Sequence, residues 1–152
     1  MAGFRKEYAS SGTFSKEQIA QLSAYNTKAA EAYVKQDYAT LVTALSSGVG
    51  LALSWVALAG IAATPVGVAT AVITTIGAIT AGVKNTVKIV CEGGASSLAS
   101  ILVDMVNESW TEVKTQFAVL EFVDENHRVI QPGVYVDQYK KNGVWYTKGK
   151  NY

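Results

Sequence analysis

The chain has 152 residues, 49% of them hydrophobic and 16% charged, with 13 Lys and Arg against 12 Asp and Glu for a net charge of +1. That length suits one domain spanning residues 1–152, and the near-balanced charge gives no electrostatic basis for a nucleic-acid partner. The single Cys excludes an intrachain disulfide and an all-cysteine metal cage, and with one His beside it ordinary hydrolase chemistry is poorly supported, so no enzyme, cofactor, metal or small-molecule substrate is expected.

Residues 1–13 read as a short arm; they lack the apolar core of a secretory signal, so export by lysis or a dedicated route is expected of any released form. A helix then starts at Ser15, which caps with Gln18 completing the box while Phe14 and Ile19 form a hydrophobic staple. Ile19, Leu22, Ala29, Ala30 and Tyr33 fall on one side of it, and Lys28, Glu31 and Lys35 on the other. No Gly or Pro interrupts residues 18–47, so the helix can continue past its amphipathic stretch.

The most distinctive feature comes next: the forty-six residues 38–83 contain no Asp, Glu, Lys, Arg or His. Ala-Ala-Thr-Pro-Val-Gly at residues 62–67 divides them into arms 41–61 and 66–83, each approaching the roughly 20 residues that cross a bilayer as a helix. Pro65 and Gly67 suit a reversal, since Pro lacks a backbone donor and Gly is permissive. The pattern predicts a hydrophobic helical hairpin, 41–83. Pairs of small residues four apart, Gly48 with Ala52, Ala59 with Ala63, Gly67 with Ala71, Gly77 with Ala81 and Ala78 with Gly82, predict close helix packing. Thr70 and Thr74 extend that side of the second arm, more suited to packing than to lining a pore.

Lys84 and Lys88 restore charge, and Gly93-Gly94 supplies a stop. Cys91 reads as a small buried hydrophobe. A third helix is expected over residues 95–117, with Leu98, Ile101, Leu102, Met105, Val106, Val113 and Leu120 on one face and Asp104, Glu108 and Glu112 in a row beside it. Like charges spaced by four repel and raise one another's pKa, which makes this row a candidate pH-sensitive element; the alternative is a plain solvated face. Residues 118–123 fit either a last turn or a strand, and His127 falls in a polar, loop-like run. Arg128 to Gln131 offers a further strand, and Val134-Tyr135-Val136, Tyr139, Asn142-Gly143 and Val144-Trp145-Tyr146 give a β-hairpin on a type I′ turn. Its lysines, Lys140, Lys141, Lys148 and Lys150, form a tail without acids that suits either anionic lipid or simple solvation.

The expected fold is therefore mainly α: an amphipathic helix, the hydrophobic hairpin and a second amphipathic helix within residues 15–120, and a small C-terminal β-hairpin region at 128–152. That arrangement, carried by the capped helix and the uncharged hairpin turned at Thr64-Pro65-Val66-Gly67, resembles α-helical pore-forming toxins and the channel-forming domain of colicin-type bacteriocins. The resemblance implies a soluble form that hides a hydrophobic hairpin and later releases it into a target membrane. Two amphipathic helices cannot cover two all-round apolar ones, so self-association into a homo-oligomer is expected alongside a lipid partner. Two other classes fit the same residues: a self-assembling structural protein forming a fibre, shell or store, and a small resident two-span membrane protein such as a holin, both ends cytoplasmic by its flanking lysines.

Overall fold

The computed structural model describes residues 5–47, 49–57, 62–122 and 127–152, with residues 5–8 and 51 described by their backbone alone. The chain runs β1 (Arg5–Ser15), α1 (Lys16–Lys35), α2 (Tyr38–Leu45), α3 (Gly50–Val56), α4 (Pro65–Ala78), α5 (Ala81–Asn107), β2 (Glu112–Phe122), β3 (His127–Ile130), β4 (Tyr135–Lys141) and β5 (Val144–Asn151). This overturns the mainly α expectation: a five-stranded antiparallel sheet stands beside the helices, and the fold is mixed α and β.

β2 organises the sheet. Along one edge it pairs with β1 over its whole length, from Arg5 opposite Phe122 to Ser15 opposite Glu112. Along the other edge β3 and β4 lie end to end, β3 against residues 119–122 and β4 against residues 112–116, and β5 completes that side by pairing with β4. The expected hairpin is there, with Asn142 at φ 52° and Gly143 at φ 76° as a type I′ turn requires, but it is one flank of a larger sheet. Of the expected N-terminal arm, residues 5–13 belong instead to a paired strand, and residues 1–4 lie outside the described set.

The two long helices differ from expectation for identifiable reasons. α1 begins where read, with both bonds of the Ser15/Gln18 box formed, but ends at Lys35 because Gln36 turns left-handed and Asp37 caps α2 through the Thr40 N–H. α5 starts at Ala81 and runs straight through Gly93-Gly94. Those glycines serve packing: a Cβ on Gly94 would lie 1.9 Å from the Ile130 carbonyl oxygen, and one on Gly93 would press on Pro132. The helix ends at Asn107, where Ser109 adopts φ 59° and the Trp110 N–H bonds the Met105 carbonyl at 2.9 Å, a Schellman-type close. Residues 112–117, expected as helix, begin β2; Val113, Thr115, Phe117 and Val119 alternate inward at the period of a strand.

The predicted two-armed hairpin is also corrected. Its first arm is broken into α2 and α3, and residues 58–61, including Ala59, lie outside the described set. Its second arm is α4, begun by Pro65 with a Thr64 cap on the Gly67 N–H, and it breaks at Ile79, whose extended backbone leads to a new cap at Thr80. At 8, 7 and 14 residues, α2, α3 and α4 are each too short to cross a bilayer.

The core lies between the helices and the sheet. Ile19, Leu22 and Tyr25 of α1, Leu98, Ile101 and Met105 of α5, and Trp110, Phe117 and Ile130 are all essentially solvent-free. Asn26 pins three elements at once: its amide donates to the Cys91 and Ile130 carbonyls at 3.3 and 2.7 Å and accepts from the Ile130 N–H at 3.3 Å. Near α3, Phe14, Trp55 and Phe117 form an aromatic cluster with centroids 4.9–6.1 Å apart, and Arg128 lies 3.5 Å over the Trp55 ring while its Nε donates to the Trp55 carbonyl.

Candidate functional surface

The small residues expected to pack helix on helix separate into two groups. Gly48 lies outside the described residues. Ala52 and Ala71 are buried, and Gly67 sits tight against the chain before it, where a Cβ would come 2.4 Å from the Ala62 carbonyl oxygen. Pro65 is half-buried at the first position of α4. By contrast Gly77, Ala81 and Gly82 are exposed, and a Cβ on Gly77 or Gly82 would meet nothing within 4 Å. The break at Ile79 puts Gly77 and Ala81 on different helices, so the continuous row expected there does not form.

What α2 and α4 present outward is an uncharged surface. Tyr38, Ala39, Thr40 and Thr43 of α2 and Val66, Thr70, Thr74, Gly77 and Ala78 of α4 are exposed, and no Asp, Glu, Lys, Arg or His lies among them. Two of their hydroxyls turn back on the helix, Thr43 Oγ1 donating to the Ala39 carbonyl and Thr70 Oγ1 to the Val66 carbonyl at 3.1 and 2.7 Å, while Thr40 Oγ1 donates to the Asp37 carboxylate at 2.8 Å. Such back-bonding removes donors from the surface and leaves methyl groups facing out.

The acid row takes a different form from a repelling helical stripe. Asp104 is on α5, Glu108 caps that helix and Glu112 opens β2. Each meets a lysine of the β4–β5 hairpin: Asp104 with Lys150 at 3.4 Å, Glu108 with Lys148 at 4.0 Å and Glu112 with Lys140 at 3.3 Å. Asp104 also accepts a hydrogen bond from the Tyr152 hydroxyl, and these donors hold its carboxyl below the usual carboxylate range. The lysine tail is thus a set of partners for this row, with Ser97 Oγ donating to the Tyr152 carbonyl to fix the end of β5.

His127 is where the loop reading misses. It opens β3 opposite Phe122, is wholly buried, and stacks on that ring at 4.9 Å. Neither imidazole nitrogen has a hydrogen-bond partner among the described residues, and burial pulls its pKa down to about 3. The alternation of His127 with Val129 is the signal that would have placed it in a strand. Cys91 is buried in α5, its thiol pushed up to about 12 by desolvation.

Among the described residues α5 alone is long and apolar enough to cross a bilayer by length and composition, and its inner face is part of the core. No protein-family model, curated protein or solved structure matches this chain.

Proposed function

We propose that the protein is a membrane-interacting, permeabilising protein whose charge-free segment, residues 38–78, is the part that enters lipid, and that self-association keeps it soluble beforehand. The observation that carries this reading is the uncharged outer surface of α2 and α4. Soluble surfaces carry charged residues at roughly a quarter to a third of positions, and an uncharged face of methyl-bearing Thr, Ala and Val is cheap to transfer to the interfacial region of a bilayer.

None of α2, α3 or α4 spans a membrane by itself, so entry takes the form of unpacking and lying in the interface, or of joining into longer helices there. Either step must release the buried side chains of the segment, Leu41 and Leu45 of α2, Ala52, Leu53 and Val56 of α3 and six residues of α4. Trp55 of α3 is a built-in reporter, half-buried beside Arg128.

The test uses vesicles of mixed zwitterionic and anionic lipid, loaded with a self-quenched dye, and a second set containing brominated acyl chains. The expected result is dye release together with tryptophan quenching that is largely lost in Trp55→Phe. Quenching that vanishes instead in Trp145→Phe would place contact at the β4–β5 hairpin and overturn the assignment to this segment. No binding and no release from either vesicle set would overturn membrane function altogether.

A further inference from the structure

β1 leaves one of its two edges unspent. At its end the Ser15 N–H points away from β2, to Gln18 Oε1 at 2.9 Å, whereas the next amide, that of Lys16, turns to the Thr111 carbonyl on the β2 side. Backbone groups of a strand alternate in direction residue by residue, so the N–H and C=O groups of Thr13, Ser11 and Ala9 face outward with the Ser15 N–H, while Ser10, Gly12 and Phe14 serve the ladder to β2. Ala9, Ser11 and Thr13 are all exposed, and their outward backbone groups have no partner among the described residues. The edge is straight as well as open, since the register against β2 runs from Arg5 to Ser15 without a bulge.

An open edge is a template for another strand, and proteins commonly blunt such edges with lysine, proline or a bulge. β5, at the opposite side of the sheet, is blunted in this way: it carries Lys148 and Lys150, and between them Gly149 at φ 60° lies where the register against β4 slips. β1 has none of these devices over residues 8–15, a stretch without charge or proline. The chemistry of the edge also fixes what can occupy it. Donor and acceptor groups repeated at every second residue are matched by an extended backbone, and an identical strand running antiparallel matches them pair by pair. With Ser11 on the two-fold axis, Ser11 faces Ser11 of the second copy and Ala9 faces Thr13, each pair exchanging two hydrogen bonds. The side chains there are small, Ser10 falls opposite Gly12, and no like charges meet, the condition that opposes strand self-pairing. β5 turned on its own copy about Gly149 would instead set Lys148 opposite Lys150.

We propose that β1 is a self-association edge on which a second copy of the chain docks its own β1, antiparallel about Ser11, so that two five-stranded sheets become one continuous sheet. The contact is isologous and closes at two copies, because the blunted β5 edges left at the two ends admit no further strand. The shared ladder is short: it stops at Ser15, whose N–H is already taken by Gln18. This pairing is independent of the membrane step proposed above. A strictly monomeric chain that still empties vesicles sinks the pairing and leaves that function standing, and a dimer inert towards vesicles does the reverse.

Amide exchange, crosslinking and sedimentation of the full chain test it. In the dimer the Ala9, Ser11 and Thr13 amides are expected to exchange slowly and to lose at least about tenfold of that protection on dilution to monomer, while the Ser10 and Gly12 amides keep theirs throughout. Under mild oxidation without detergent, Ser11→Cys is expected to crosslink to a dimer. Thr13→Cys alone is not, because its two copies stand about 14 Å apart along the strands, whereas Ala9→Cys combined with Thr13→Cys crosslinks efficiently. The native Cys91 is buried and serves as the silent control. Sedimentation of the unmodified chain is expected to show a dimer at micromolar concentration, weakened at least about tenfold by Ser11→Lys, which sets lysine against lysine at the axis. Circular dichroism checks that this exposed substitution leaves the fold intact. Efficient crosslinking of Thr13→Cys by itself overturns the register, and a dimer indifferent to Ser11→Lys overturns the surface. A monomer at concentrations on the order of 100 μM, or outward amides whose exchange ignores dilution, overturns the second copy.

Discussion

At the scale of single residues, His127 carries the clearest consequence. A neutral imidazole buried against Phe122 with neither nitrogen bonded among the described residues is tolerated only while it stays neutral. Its folded pKa of about 3 lies below the ordinary value of 6.5, so below that value the unfolded chain binds a proton that the native chain refuses. Its contribution to stability is complete above pH 6.5 and falls as pH drops from there toward 3, by about 1.4 kcal/mol per unit. Asp104 acts in a separate window: its lowered pKa gives stability that is present above its ordinary value of 3.8 and is lost below it. His127→Phe keeps the ring stack and removes the titration. Denaturation midpoints are therefore expected to agree within about 1 kcal/mol between native and variant at pH 7, since two unbonded polar atoms are lost with the ring. At pH 4.5 the variant should lead by roughly 2–3 kcal/mol. Parallel loss of stability in both proteins down to pH 4.5 would show that His127 is not the acid-sensitive group.

Individual elements show why some of the fold is legible in the residues and some is not. The start of α1, the Thr64-Pro65 start of α4 and the Asn142-Gly143 turn are local: cap, ring and left-handed backbone are set by neighbours in sequence, and each stands where the residues put it. β1 is invisible from its own residues because its described stretch, residues 9–15, buries Phe14 alone; its partner β2, one hundred residues away, supplies the reason it is a strand. β2 reads as helix because Val113 and Leu120, seven apart, satisfy a helical period, while the inward alternation that starts at Val113 is interrupted where Val119 and Leu120 are both buried. Gly93-Gly94 reads as a helix stop from propensity and is a helix interior because Ile130 and Asn26 need the space. The candidate surface is legible as an absence of charge in residues 38–83, but its division into short helices is not. Two glycine substitutions separate packing from propensity. Gly94→Ala forces a methyl into the Ile130 carbonyl, backbone that cannot swing away, and is expected to destabilise by about 2–3 kcal/mol or to prevent folding. Gly77→Ala meets open space in a helix and should stabilise by about 0.5–1 kcal/mol. Equal and small effects at both sites, by thermal melting, would contradict the packing of α5 against β3.

The whole molecule resolves the covering problem that the composition poses. The sheet and α5 give α1 a broad partner, and α1 in turn receives α2, α3 and α4, with β3 touching α3 and α4. The assembly is consequently uneven. α1 and α5 each bury eight residues and are tied to β3 through Asn26, whereas in the uncharged layer α4 buries six, α2 buries two and α3 starts without a side-chain cap. Opening of the uncharged layer alone therefore exposes less apolar surface than global unfolding, and costs less. Native-state hydrogen exchange should find amides of α2, α3 and α4 exchanging at least about tenfold faster than those of α1, α5 and β2, through an opening that depends weakly on denaturant. Anionic vesicles should accelerate that opening if lipid captures the released layer, and leave exchange in β2 unchanged. A single protection level across all helices, with one steep denaturant dependence, would mean that the layer never leaves the core by itself; entry into lipid would then require unfolding of the entire domain, and residues 38–78 would lose their claim to be the part that moves.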